Sequence, residues 1–176
     1  MQAISDGLGG FTTGCAFDPA LNKLYTTNYS NSQVVVYDNA DPHSILQNIT
    51  DPNGSNESIV FAKNGDFYVG QPFAPVINRY NAAGSLIATY TVASDGGTGG
   101  TDWIDLGPNQ TTLFYTSEGA SIKRFDTVAG QLTDFATLLG GSAFAFRLLP
   151  PGDGSGGLLL ADGGDIQGDR ILNFQQ

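Results

Sequence analysis

Residues 112–126, TLFYTSEGASIKRFD, read as a strand, a tight turn at Glu118-Gly119 and a second strand. The phrase has three counterparts in the chain, AFDPALNKLYTTNYSNSQVVVYD (16–38), VFAKNGDFYVGQPFAPVINRYN (60–81) and LLPPGDGSGGLLLADGGDIQGDRILNFQ (148–175). The apolar residue before each first turn is Phe17, Phe61, Leu106 and Leu149, at intervals of 44, 45 and 43. The aromatic near the end of each later strand is Tyr37, Tyr80, Phe125 and Phe174, at intervals of 43, 45 and 49. Two separate anchors giving nearly one period make an internal repeat, and a period of this length with four short strands per unit is that of a β-propeller blade.

The expectation is therefore an all-β chain of four blades of four strands, over 11–50, 56–92, 101–138 and 142–176. First strands fall at CAF, IVF, WIDL and FAFRLL, and second strands at KLYTTN, DFYVG, TLFYTS and GLLLAD. Third strands fall at QVVVYD, VINRYN, SIKRFD and RILNFQ, and fourth strands at ILQNIT, SLIATYTV and QLTDFATL. Alternation is clearest in SIKRFD, which sets Ile122, Arg124 and Asp126 opposite Lys123 and Phe125. No sustained 3.6-residue period occurs, so almost no helix is expected. The fourth unit ends without an outer strand. Either the chain is a fragment of a longer propeller, or residues 1–10 pair with it as a chain-end clasp, or its third strand offers an open edge that invites a second copy.

Composition narrows the partners. Of 176 residues, 40% are hydrophobic and only 14% charged, a balance suited to a packed core rather than a disordered chain. The 24 glycines suit many turns. A formal net charge of −10 leaves little to neutralise phosphates, so nucleic acid is not an expected partner. No apolar run reaches the ~20 residues of a membrane helix. Residues 1–10 lack the basic and apolar regions of a signal peptide, although a mature secreted form would read the same way. Cys15 is the single cysteine, set in the apolar stretch TTGCAFDP, and reads as a buried structural thiol. His43 is the single histidine, which makes a histidine triad or a histidine-rich metal site a poor reading.

In a propeller, the connections leading into first strands and the turns between second and third strands share one face. Here that face takes 28–32, 51–58, 93–102, 117–120 and 162–169, with Asp51, Glu57, Asp95, Asp102, Glu118, Asp162, Asp165 and Asp169 and no basic residue. Clustered carboxylates with glycine-rich loops suit a divalent cation such as calcium, with Glu118 and Asp102 as first candidate ligands. Asp51 and Glu57 join them, although DPNGSNES departs from the loop pattern of helix–loop–helix calcium sites. The alternative is that Asp and Gly are simply good turn formers. Trp103 beside Asp102 reads as a core aromatic, or as a platform for a sugar ring. Five Asn-x-Ser/Thr sequons, at Asn28, Asn48, Asn53, Asn56 and Asn109, fall mostly in loops.

The stretches GDFYVG and INRYNAAGSLIATY resemble NHL and YVTN-like bacterial propeller repeats. DWIDLGPNQTTLFYTSEGASIKRFDTVAGQLTDFATL, followed by AFAFRLLPPGDGSGGLLLADGG, resembles secreted bacterial propellers grouped loosely with the gluconolactonase-type superfamily. The resemblance covers about residues 11–176. It implies a propeller of secreted type; together with the open edge of the last unit, the expectation is an extracellular or periplasmic module for binding or self-assembly, with an unspecified small-molecule or glycan ligand and no required cofactor. The alternative it implies is a metal-dependent lactonase-type hydrolase, in which Glu57 is the one position resembling a first metal ligand. The rest of that ligand set has no residue-by-residue match, and such relatives usually carry six or more blades.

Overall fold

The computed structural model describes residues 9–96, 99–138, 141–148, 157–162 and 170–175, the last two stretches as backbone alone. Within them the chain is all β, with no helix. The first sheet contains β1 (Thr12–Phe17), β2 (Lys23–Asn28), β3 (Gln33–Asp38) and β4 (Ile45–Thr50), paired in chain order. The second contains β5 (Ser58–Phe61), β6 (Phe67–Gly70), β7 (Val76–Tyr80) and β8 (Leu86–Thr91). The third contains β9 (Ile104–Leu106), β10 (Thr112–Tyr115), β11 (Ser121–Asp126) and β12 (Gln131–Thr137). β13 (Ala143–Leu148), β14 (Gly157–Asp162) and β15 (Arg170–Gln175) form the last sheet. Every pairing is antiparallel between chain neighbours, so each sheet is an up-and-down meander.

The first strands carry the sheets against one another, with β1 beside β5, β5 beside β9, and β9 beside β13. Side chains on the facing surfaces make a separate core in each gap. Tyr25, Val34, Val36 and Ile49 of the first sheet meet Ile59, Phe67, Val69 and Tyr80 of the second. Val60, Tyr68 and Ile77 meet Ile104, Leu113, Tyr115 and Phe125 across the next gap. Phe114, Ile122 and Leu138 meet Ala143 and Phe146 across the third. The second and third sheets are packed on both faces, and all four stack through their first strands, the arrangement of a β-propeller. The alternation read in SIKRFD holds, since Phe125 faces the second sheet and Ile122 the last.

Local chemistry fixes the turns. Leu21 (φ 58°), Gly65 (φ 90°) and Gln110 (φ 64°) occupy left-handed backbone at corresponding points between first and second strands. The Asp18 carboxylate accepts from Asn22 N and Lys23 N, both at 2.8 Å, and Asn109 Oδ1 accepts from Thr112 N at 3.1 Å. Such side-chain acceptors let a turn hold an unfavourable residue in left-handed backbone. Thr27, Gly70 and Thr116 sit at matching ends of the second strands. A Cβ at Gly70 would overlap the Thr101 carbonyl and the Ser58 hydroxyl, so the third sheet approaches there as closely as glycine permits.

Cys15 departs from expectation, because it is exposed. Pleating turns Gly14 and Ala16 towards the second sheet and leaves Cys15 and Phe17 on the other side of β1. Trp103 is half-buried against the third core, as a core aromatic should be. Residues 1–8, read as part of a possible clasp, and 163–169 of the acidic loop lie outside the described residues. Among the described residues, β15 has β14 as its one strand neighbour.

Candidate functional site

The loops entering the first strands and the turns leaving the second strands do meet at one pole. Glu57 N donates to Gly70 O at 3.0 Å, Asp102 N to Thr116 O at 3.0 Å, and Ala143 N to Gly119 O at 2.8 Å. Thr13 Oγ1 donates to Asn56 O at 3.2 Å. These bonds bring segments of all four sheets to a common end. Glu118 occupies its turn with φ 57°, and the 93–96 loop crosses so near that a Cβ at Gly96 or Gly119 would overlap the other segment.

Glu57, Asp102 and Glu118 are electrostatically coupled at this pole. Glu57 is buried, and its carboxyl is pushed up to about 7, by burial first and then by the charges of Asp102 and Glu118. Asp102 is 2% exposed and is likewise pushed up to about 7, by burial first and then by Glu118. The same carboxylates raise the phenol of Tyr29, after the larger effect of burial. Glu118 is half-buried and is the most accessible of the three. Their coupling does not bring them to a point. Among the described residues, no three His, Cys, Asp or Glu side chains are arranged to hold a metal ion.

Several buried polar atoms beside these carboxylates have no hydrogen-bond partner among the described residues. They are Asp102 Oδ2, Asn56 Nδ2, Gln71 Oε1 and Ser58 Oγ. Gln71 Nε2 donates to Asn56 Oδ1 at 3.1 Å, and Gln71 N to Thr101 Oγ1 at 3.0 Å, which places the group next to Asp102 in the chain. In the sequence Asn56 stands out only as a sequon and Gln71 not at all, since a lone amide in a connection carries no spacing signal.

Asp51, the fourth candidate, lies apart in a structural network. Its two carboxylate oxygens accept from Asn78 Nδ2, both at 2.9 Å, and Oδ2 accepts from Tyr80 OH at 2.6 Å. This network ties the first connection to the second sheet. Asp95 is also drawn off, because Lys123 Nζ lies 3.4 Å from its Oδ2. Burial alone would raise Asp95, but hydrogen bonds from Ser121 and Ser117 and the charge of Lys123 hold it below its usual value. The rim is therefore not free of basic groups, as the loop map had it. Lys123 belongs to β11, and only its long side chain reaches the loop. Asp162 is described by backbone alone, and Asp165 and Asp169 lie outside the described residues.

Aromatic side chains complete the pole. The Tyr29 ring stands edge-on to Phe11, with centroids 6.1 Å apart at 89°, and to Phe73, 5.4 Å apart at 70°. Phe11 is 63% exposed and Phe73 55%.

No protein-family model matches the sequence, and a search of curated proteins likewise finds no match. Solved structures do match. The computationally designed Ika4 protein superposes with a TM-score of 0.65 at 14% identity, over 99% of this chain and 97% of that one. A chain of a nidogen/laminin complex gives 0.73 at 16% identity, over 92% of this chain and 60% of that one. A protein from Bacteroides uniformis described as a 6-phosphogluconolactonase gives 0.66 at 16% identity, over 97% of this chain and 56% of that one. The chain thus spans little more than half the length of the latter two. Likeness at such identities shows the fold alone, and that fold hosts many functions.

Proposed function

We propose that the protein is a non-catalytic, extracellular or periplasmic propeller module of the NHL-like kind, built of four blades, that binds at its acidic pole and self-associates through the edge of its last sheet. The observation carrying this reading is the pairing of β15. Its counterparts β3, β7 and β11 each lie between two strands, whereas β15 has one neighbour among the described residues. Where no further strand covers it, such an edge presents a row of N–H and C=O groups on which a strand from a second copy can add. Light scattering across a wide range of protein concentration tests the reading. A particle heavier than the 18.4 kDa of one chain, growing with concentration, is expected. A mass of 18.4 kDa at every concentration would sink the assembly half of the proposal.

A second reading, a lactonase-type hydrolase using a divalent cation such as calcium, draws on the coupled carboxylates Glu57, Asp102 and Glu118. The described side chains do not fit it well, because a hard cation needs oxygens converging at 2.3–2.6 Å on one point, as a general rule, and no such group of acidic side chains is present among them. Millimolar calcium should raise the melting temperature if the ion binds. An unchanged melting curve, with no turnover across a lactone panel, removes this reading.

A further inference from the structure

The polar end of the propeller combines features that a hard metal ion would not require together. Two exposed phenylalanines flank a tyrosine, and that tyrosine lies within the field of three carboxylates. The hydrogen bond from Tyr29 N to Phe11 O, 2.8 Å, pins the first ring beside the second. Phe73 follows Gln71, whose carbonyl accepts from Thr101 N at 2.6 Å, one residue before Asp102. Aromatic walls and carboxylates therefore belong to one surface, not to two distant ones.

We propose that this surface binds an organic ammonium, with the cation held against the Tyr29 and Phe73 rings and facing Glu118, while Glu57 and Asp102 supply negative charge from beneath. The inference rests on the reading of this pole as the binding face and names the chemistry of its ligand. Independent support comes from Asp102, which is 2% exposed and whose Oδ2 has no hydrogen-bond partner among the described residues. A desolvated carboxylate oxygen without a donor is costly unless a cation or donor is supplied. Aromatic faces attract cations through the ring quadrupole, and more strongly when the site is partly dry. A neutral sugar would use the rings but leave the charges uncompensated. A phosphate or carboxylate would be repelled. A metal ion would use the charges but leave two phenylalanines exposed for no gain.

An ammonium group can belong to a free amine or to a lysine side chain of another protein, and both present the same head. Calorimetric titration of the full chain with n-butylammonium, n-butanol and a lysine-containing peptide separates the possibilities. Saturable binding of butylammonium with none for butanol is expected. Phe73→Ala and Glu118→Gln should each weaken binding by about threefold or more, and circular dichroism should confirm that both variants remain folded. A peptide binding more tightly than the amine identifies a protein partner, and equal affinities identify a small amine; both support the shared chemistry. Equal binding of butanol, no saturation by about 10 mM butylammonium, or unchanged affinity in both folded variants would overturn the proposal. Light scattering on the same samples keeps the two ideas apart, since loss of assembly with retained amine binding would sink only the former.

Discussion

The hydroxyl of Thr27, at the end of β2, donates to the main-chain carbonyl of Glu57 in the neighbouring sheet at 3.0 Å, and the same oxygen accepts from Gly14 N at 2.8 Å. Thr116, at the matching end of β10, repeats the contact by donating to Phe144 O at 2.5 Å. The two threonines clasp sheet to sheet where first strands begin, and the clasp at Thr27 also positions the backbone of Glu57. Thr27→Val keeps the volume and removes the hydroxyl, leaving a buried N–H and carbonyl with poorer partners. It should cost about 1–3 kcal/mol. Gly70→Ala, at the equivalent point of the second sheet, should destabilise at least as much, because a methyl there meets the Thr101 carbonyl. Urea denaturation of both variants measures the losses; a Gly70→Ala protein as stable as the parent would mean that the sheets can separate freely.

Much of this architecture is legible in the sequence because the repeat imposes it. KLYTTN, QVVVYD, SIKRFD and ILQNIT become strands with the bounds expected of them, since β-branched and aromatic residues between turn formers leave few other options. At the pole, Glu57, Asp102 and Glu118 come together because all three lie in connections that the repeat sends to one end. Asp51 shares that origin but is captured by Asn78 and Tyr80, a pairing 27 and 29 residues distant that no local pattern reveals. Cys15 is exposed, against expectation, for a simpler reason. Apolar neighbours indicate a strand, but in a strand only every second side chain faces a given neighbour. Phe11, Tyr29 and Phe73 are harder to read: Tyr29 and Phe73 lie 44 residues apart in the connections after β2 and β6, but Phe11 precedes β1 outside that period, and aromatics there read equally as core.

Corresponding turns with different residues give opposed expectations. Leu21 is 64% exposed in left-handed backbone, which costs a branched side chain roughly 1–2 kcal/mol. Leu21→Gly should therefore raise the melting temperature by a few degrees, less the added flexibility of the unfolded chain. Gln110 has nearly the same φ, but its Oε1 accepts from Lys63 N at 2.7 Å across the gap between second and third sheets. Gln110→Gly loses that bond while relieving the same strain, and should be neutral or destabilising. Scanning calorimetry of the two variants compares them directly; equal stabilisation would show that the Gln110 bond contributes nothing.

The raised carboxyls at the pole make stability depend on pH. Glu57 and Asp102 take up protons more readily folded, near 7, than in an unfolded chain, where 4.5 and 3.8 are ordinary. In the interval between, the folded state holds more protons, so stability falls as pH rises. The contribution is full below about pH 4 and is lost on passing pH 7. Glu57→Gln removes one of the charges that oppose folding at high pH. The variant should melt several degrees above the parent at pH 8 and close to it at pH 4. Because other carboxylates, such as Asp95, shift the opposite way, the difference between variant and parent carries the test. A difference independent of pH would show that Glu57 is not titrating in this range.

Lys123 supplies the last prediction. It is 7% exposed, with Nζ 2.9 Å from Ser121 Oγ, 3.0 Å from Asp134 Oδ1 and 3.4 Å from Asp95 Oδ2. Lys123→Met retains most of the apolar stem but withdraws the cation from Asp95, whose remaining donors are the Ser117 and Ser121 hydroxyls. Breaking a fully buried pair costs about 3–5 kcal/mol. Here the Asp95 side chain is 28% exposed and that of Asp134 64%, so water compensates part of the loss and about 1–3 kcal/mol is expected. Asp134→Asn alone should change little. Asp95→Asn combined with Lys123→Met should cost less than the two single changes added together, because each removes the same interaction. Urea denaturation of the four proteins resolves the coupling. Strict additivity would show that Lys123 is held by its stem and by Ser121, and that the ion pair does not secure the 93–96 loop over Glu118.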